Sequence, residues 1–213
     1  MFQVKQFAFN HFQTNCYIVW DEVSKQCAIV DPACETSSEE HLLDRFILSQ
    51  QLTPTLLLLT HAHTDHICGL RYVATKYQLA VTTHRDSIAL LRTAGGYGSV
   101  LGFDVDRMDD LDTHLVEDGD KLQLGNGEIE CRYVPGHCPG SMAYVLHAEQ
   151  MVITGDALFR MSIGRTDLPG GDLSLLLDKI HQRLLTLDGD FMVLPGHGDC
   201  SSIAEEVNMN PFL

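Results

Sequence analysis

Hydrophobic and polar positions alternate through the first third of the chain with the period of a half-buried strand. Phe2 to Phe9, Cys16 to Trp20 and Cys27 to Val30 are rich in aromatic and β-branched residues and are separated by polar breaks, which predicts three strands. The period then lengthens. Ser37-x-x-Glu40 has the spacing of a capping box, and Leu42, Leu43, Phe46 and Ile47 follow at helical intervals. A second helix is predicted downstream, with Asp172 as N-cap and Leu173, Leu176, Leu177, Ile180 and Leu184 on one stripe. Between them, strand-like runs alternate with shorter helical patterns around Leu70 to Tyr77 and Ser87 to Arg92. No repeat, linker or charge block divides the chain, so the expectation is a single α/β domain over residues 1–213.

The polar interruptions carry the chemistry. Four apolar runs each end in a sharp break followed by His or Asp. Leu56 to Thr60 runs into His61-Ala62-His63-Thr64-Asp65-His66, and Arg132 to Gly136 delivers His137. Met151 to Gly155 delivers Asp156, and Phe191 to Gly196 delivers His197. Loops at the carboxyl ends of strands are where open α/β sheets place their sites. Pro and Gly just before a ligand fix the turn and let backbone come close.

In extended chain His61, His63 and Asp65 share one side and His66 faces away, but a helical turn starting near Asp65 returns His66 to the cleft. One segment then serves two metal ions, His61 and His63 on the first, Asp65 and His66 on the second. His137 completes the first, His197 the second, and Asp156 bridges. Each ion keeps an open position for water, the mark of a catalytic rather than a structural metal site. His11, His41, His84, His114, His147 and His181 read as ordinary core or surface residues. Cys68, Cys138 and Cys200 lie near ligands in sequence, but the nitrogen and oxygen set is complete without them, and they read as wall residues.

Composition narrows the class. Of 213 residues, 45% are apolar and 20% charged, which is globular rather than disordered. Fourteen Lys and Arg against 29 Asp and Glu leave −15, a field that repels a phosphate backbone, so nucleic acid is not expected as a partner. No apolar run approaches the ~20 residues of a membrane helix. The start, Met1 to Lys5, lacks an apolar core and a cleavage site, which predicts a cytoplasmic protein. Seven cysteines without a Cys-x-x-Cys pair predict reduced thiols, with Cys16, Cys27 and Cys131 as small core residues.

Thr60-His-x-His-x-Asp-His66, Pro135-Gly-His-Cys-Pro-Gly-Ser141, Gly155-Asp-Ala-Leu-Phe159 and Pro195-Gly-His-Gly198 resemble, in this order, the motifs of the metallo-β-lactamase superfamily and of its glyoxalase II-like branch. Gly164-Arg-Thr-Asp167 and Asn210-Pro-Phe212 are similar to segments of its short bacterial hydrolases. The resemblance implies a four-layer αββα sandwich with the metals at one edge of the two sheets and no additional C-terminal substrate domain. It implies hydrolysis of a small-molecule thioester such as S-lactoylglutathione by a hydroxide bridging two divalent ions, zinc first, with iron or manganese accepted by the same ligands. Asp65 orients that hydroxide. Two ions, two carboxylates and the hydroxide leave a formal charge of about +1 to stabilise the oxyanion. A glutathione-contacting Lys of the family corresponds to Arg165, which offers a substrate clamp. Two family tyrosines are replaced by Asp167 and Asp199, so glutathione itself is not implied. The same superfamily contains glutathione persulfide dioxygenases with one iron, which would map onto His61, His137 and Asp156. A metal-loaded binding module is a third reading, one that needs no open coordination positions. No membrane partner is expected, and at most a homodimer.

Overall fold

The computed structural model describes residues 1–105, 108 and 110–213. Two six-stranded sheets form its centre. The first runs β1 (Phe2–Phe9), β2 (Thr14–Asp21), β3 (Gln26–Val30), β4 (Thr53–Leu58), β5 (Val81–Thr83) and β6 (Thr113–Leu115), antiparallel through β3 and parallel from there on. The second contains β7 (Lys121–Leu124), β8 (Gly127–Tyr133), β9 (Met142–Leu146) and β10 (Met151–Gly155). A small hairpin of β11 (Leu158–Phe159) and β12 (Ser162–Ile163) follows, and β13 (Met192–Pro195) and β14 (Ser201–Ser202) complete the second sheet. In it β10 and β13 pair in parallel, so their carboxyl ends emerge together.

Alternation along the strands builds the layers. Tyr17 and Val19 face inward onto the second sheet, whereas Cys16 and Ile18 face the opposite way, under the outer helices. Ala28 and Val30 likewise oppose Cys27 and Ile29. On the second sheet Tyr144, Leu146 and Ile153 join the inner core, while Val145, Val152 and Val193 pack against outer helices. Three apolar cores between four layers make the αββα sandwich expected.

The helices differ from the pattern in instructive ways. Helix α1 (Ser37–Ser49) is capped one residue earlier than Ser37-x-x-Glu40 suggests, by Thr36 with Glu39. The Glu39 carboxylate also accepts from the backbone N–H groups of Asn10 and Glu35, which decides between two registers of equal spacing. Helix α2 (Leu70–Tyr77) lies where predicted. Helix α3 (Ile88–Leu101) extends well past Arg92, through a glycine-rich stretch that reads as a break. Gly98 is there because a Cβ would lie 3.0 Å from the Thr64 methyl and 3.2 Å from the Phe103 carbonyl, where the helix crosses the metal-ligand segment. Helix α4 (Leu173–Lys179) is capped by Asp172 as expected and continues as a π turn, Ile180–Leu184. Leu176, Ile180 and Leu184 are buried, but Leu173 is 51% exposed, so the stripe is one residue shorter than predicted. Helix α5 (Ile203–Met209) closes the outer layer. Among the described residues no helix is long and apolar enough to cross a membrane, and all seven cysteines are free.

Candidate metal centre

The seven candidate ligands meet at one edge of the sandwich. His61 follows β4; Thr64–His66 is a short 3₁₀ turn, which returns His66 to the cleft as the helical reading required. His137 follows β8, Asp156 follows β10 and His197 follows β13. The 195–198 turn is clamped by the first sheet, since Asn15 Nδ2 donates to the Pro195 and Gly198 carbonyls and Tyr17 Oη donates to Pro195. Gly196 is sterically required, because a Cβ there would stand 2.1 Å from Asp156 Oδ1 and 2.8 Å from the His66 ring.

Two groups built from the candidate ligands result, each with its atoms within 4.8 Å of one another: His61, His63 and His137, joined by Cys138, and Asp65, His66 and His197; a third such group joins Asp31 to His61 and His66. His137 Nε2 lies 2.8 Å from His63 Nδ1. In the second group Asp65 Oδ2 is 3.2 Å from His197 Nε2 and 3.5 Å from His66 Nε2. Asp156 stands between the groups: Oδ1 is 3.3 Å from His66 Nε2, and Oδ2 is 3.7 Å from His137 Nε2 and 3.6 Å from His197 Nε2. None of the six histidines set aside joins either group. Cys138 was assigned to the wall; its Sγ reaches the first group but is bonded to Ser141 Oγ at 3.3 Å.

Outer partners set the imidazole tautomers. His66 Nδ1 is 2.9 Å from Asp31 Oδ2, His137 Nδ1 is 2.8 Å from the Arg165 carbonyl, and His197 Nδ1 is 3.2 Å from the Phe12 carbonyl. Each partner only accepts, so each Nδ1 donates and directs Nε2 into the cage. His61 Nδ1 lies 3.0 Å from Thr60 Oγ1, whose own hydroxyl donates to Asp31. Thr14 Oγ1 donates to Asp65 Oδ2 at 3.0 Å, and Asn10 Nδ2 to the Asp65 carbonyl. Asp31, Thr14 and Phe12 are supporting positions that the motif reading missed, and Thr60, which opens the first motif, carries no role in that reading. For Asp31 a partial signal existed: Cys27 to Val30 is an apolar strand that ends directly in Asp31, although here the Pro follows the acidic residue instead of preceding it.

Electrostatics match a cation. Burial first, then neighbouring imidazoles, push His61 well below its ordinary value, and burial lowers His63 to about 4, so both are neutral as ligation requires. Burial opposes ionisation of Asp65 and Asp156, but the imidazoles beside them, His66 foremost, outweigh it and hold both below the ordinary range. Burial likewise opposes a charge on His66, yet Asp156, Asp65 and Asp31 raise it well above its usual value. The carboxylates demand positive charge between them. His61 Nε2, His66 Nε2 and Asp156 Oδ1 are moreover buried without a hydrogen-bond partner, at ~1–3 kcal/mol for each group left unsatisfied. Bound divalent ions answer both demands, so the donor set fits them.

A family model for the metallo-β-lactamase superfamily matches residues 10–197. The chain is 39% identical to the probable metallo-hydrolase YqgX of Bacillus subtilis (strain 168), over 94% of this chain and 92% of the relative. It is 34% identical to the hydroxyacylglutathione hydrolase GloC of Haemophilus influenzae, over 95% and 93%. It is also 31% identical to the mitochondrial persulfide dioxygenase ETHE1 of Homo sapiens, over 94% and 71%. Among solved structures, the B3 metallo-β-lactamase BLEG-1 superposes with a TM-score of 0.89 at 34% identity, covering 99% of each chain. TTHA1623 in a di-iron-bound form gives 0.87 at 32%, covering 98% of this chain and all of the other. The chain belongs to the metallo-β-lactamase superfamily. It is a metallo-hydrolase of that superfamily, and the His and Asp clusters just described are its candidate metal-binding groups.

Proposed function

We propose that the protein hydrolyses a small-molecule thioester at a dinuclear centre, with His61, His63 and His137 holding one divalent ion, Asp65, His66 and His197 the other, and Asp156 shared. The observation that carries this is the Asp156 carboxylate, which turns one oxygen to His66 and the other to His137 and His197. Such a pair of ions, zinc or iron, would lower the pKa of water to about 7 and polarise the substrate carbonyl.

The chain's own residues do the rest. Asp65 Oδ2, steadied by Thr14, faces the cleft and is placed to orient the attacking water. The apolar walls, Phe12, Leu168 and Pro169 among them, limit bulk water. No side chain serves as nucleophile: burial pushes the nearest thiol, Cys138, up to about 12. In the net reaction the water oxygen bonds to the acyl carbon, the carbon–sulfur bond breaks, and the two protons of water pass to the leaving thiolate and to solvent. Arg165 lines the cleft with its guanidinium held by Asp167. Nη1, which Asp167 does not engage, is proposed to donate to an amide oxygen of the thiol carrier.

The likeness to ETHE1 sustains one rival, a mononuclear iron dioxygenase built on His61, His137 and Asp156. Metal analysis with parallel thioesterase and oxygen-electrode assays separates the two. Two ions per chain and thioester cleavage without oxygen uptake are expected. One iron per chain, persulfide-dependent oxygen uptake and no thioesterase activity would overturn the proposal.

A further inference from the structure

The cleft over the cage has a volume of ≈ 500 Å³ and two distinguishable ends. At one end the Arg165 carbonyl meets His137; at the other the Phe12 carbonyl meets His197. Away from the cage the wall is apolar: Phe12, Leu90, Ala94, Leu101, Leu168 and Pro169. Leu90, Ala94 and Leu101 recur at helical spacing, so one face of α3 is turned to the cavity. At the rim Phe12, Val100 and Leu101 are 43%, 82% and 44% exposed, an unusual concentration of bare apolar side chains at a cavity mouth.

Charge points the same way. Among the described residues lining the cleft, Arg165 is the only Lys or Arg, and its fork is occupied. Nε and Nη2 each donate to a different Asp167 oxygen at 2.8 Å. Asp65 and Asp156 add negative charge at the floor, and the chain as a whole carries −15. The peptide carboxylates of a glutathione conjugate meet no unpaired side-chain cation here.

We infer that this cleft takes thioesters with an apolar acyl chain on a neutral thiol carrier, the chain lying against Phe12 and the cavity face of α3. The inference rests on the hydrolase reading above and names its substrate class. The test is a series of S-acyl N-acetylcysteamine thioesters, from acetyl through butyryl to hexanoyl, with S-lactoylglutathione alongside, on the metal-loaded protein. Because each buried methylene contributes about fourfold, kcat/KM should rise at least about tenfold from acetyl to hexanoyl and exceed that for S-lactoylglutathione. The double variant Val100→Asn, Leu101→Asn changes only exposed positions; it should lose most of the rise while keeping its circular dichroism and metal content. A flat chain-length profile, or preference for S-lactoylglutathione, overturns the inference and leaves the thioesterase reading standing. If no thioester is cleaved by protein carrying two ions, the hydrolase reading falls and the inference with it.

Discussion

Asp31→Asn tests how the outer hydrogen bonds build the metal positions. Asp31 is buried, and Oδ1 accepts the Thr60 N–H at 2.7 Å while Oδ2 accepts from the Thr60 hydroxyl and from His66 Nδ1. Asparagine matches the shape, and it tolerates the left-handed backbone here, φ 49°, as well as aspartate does. The Thr60 N–H is fixed by the backbone, so the amide must keep its oxygen there and present its NH₂ to His66. A donor now faces Nδ1. His66 is driven to the tautomer protonated on Nε2, the atom that points at Asp65 and Asp156. Loss of an orienting partner of this kind costs ~10–100-fold in metal affinity, or about 1.4–2.8 kcal/mol.

That loss should reach both positions, because the same NH₂ also faces Thr60 Oγ1, whose hydroxyl must then turn to donate to His61 Nδ1 and move the His61 proton to Nε2 as well. Titration of zinc into the apoprotein against a competing chelator should give two weakened sites, with thioesterase activity lost in step with the metal. Asp31→Ala is the contrasting control: it strands the Thr60 N–H and hydroxyl in the interior, at ~1–3 kcal/mol each, and should lower the melting temperature as well. An Asp31→Asn protein that binds both ions as tightly as the wild type would refute the tautomer argument.

Other expectations are as direct. Asp156→Ala should lose metal from both positions, and a folded variant that elemental analysis finds with two ions and full activity contradicts the shared carboxylate. Arg165→Ala should raise KM about two- to tenfold at nearly constant kcat and unchanged metal content, the scale of a single hydrogen bond at ~0.5–1.5 kcal/mol. Asp44 tests pH linkage: burial opposes its ionisation, but bonds from Lys76, Tyr72 and Tyr77 outweigh this and hold its carboxyl below the ordinary range. A depressed value means stability that is complete above the unfolded pKa of about 3.9 and is lost as pH falls through the folded one. Urea melts of Asp44→Asn should accordingly lose less stability between pH 7 and pH 3 than the wild type.

The clustering of the candidate ligands was legible because their chemistry and their local structure are written in the same few residues: an apolar run, a Pro or Gly break, then His or Asp. The layers were legible from period alone. What lay hidden depends on contacts across the fold. Thr36 and Ser37 cap equally well by spacing, and what separates them is the Glu39 carboxylate, which accepts from the Glu35 N–H and from the distant Asn10 N–H. The Ala94-Gly-Gly-Tyr-Gly98 stretch is a poor helix by propensity, yet α3 continues through it, and Gly98 lies close to the 3₁₀ turn, where a Cβ would come within 3.0 Å of the Thr64 methyl. Thr14 and Phe12 lie about fifty residues or more from the groups they steady, and nothing in their own neighbourhood marks them.

The way the imidazoles are held also divides the site into a part that resists change and a part that permits it. His61 and His66 are oriented by side chains, Thr60 and Asp31, buried where β4 and β3 end. A substitution at either alters the acceptor itself. His137 and His197 are oriented instead by the main-chain carbonyls of Arg165 and Phe12, in loops over the cleft. A carbonyl is supplied by any residue, so positions 12 and 165 are free to vary in side chain while the tautomers stay set. The same two residues line the cleft over the candidate ligands, where the proposed substrate would lie. In this architecture substrate preference can be remade at Phe12 and Arg165 without disturbing the metals, provided the backbone of both loops holds its place.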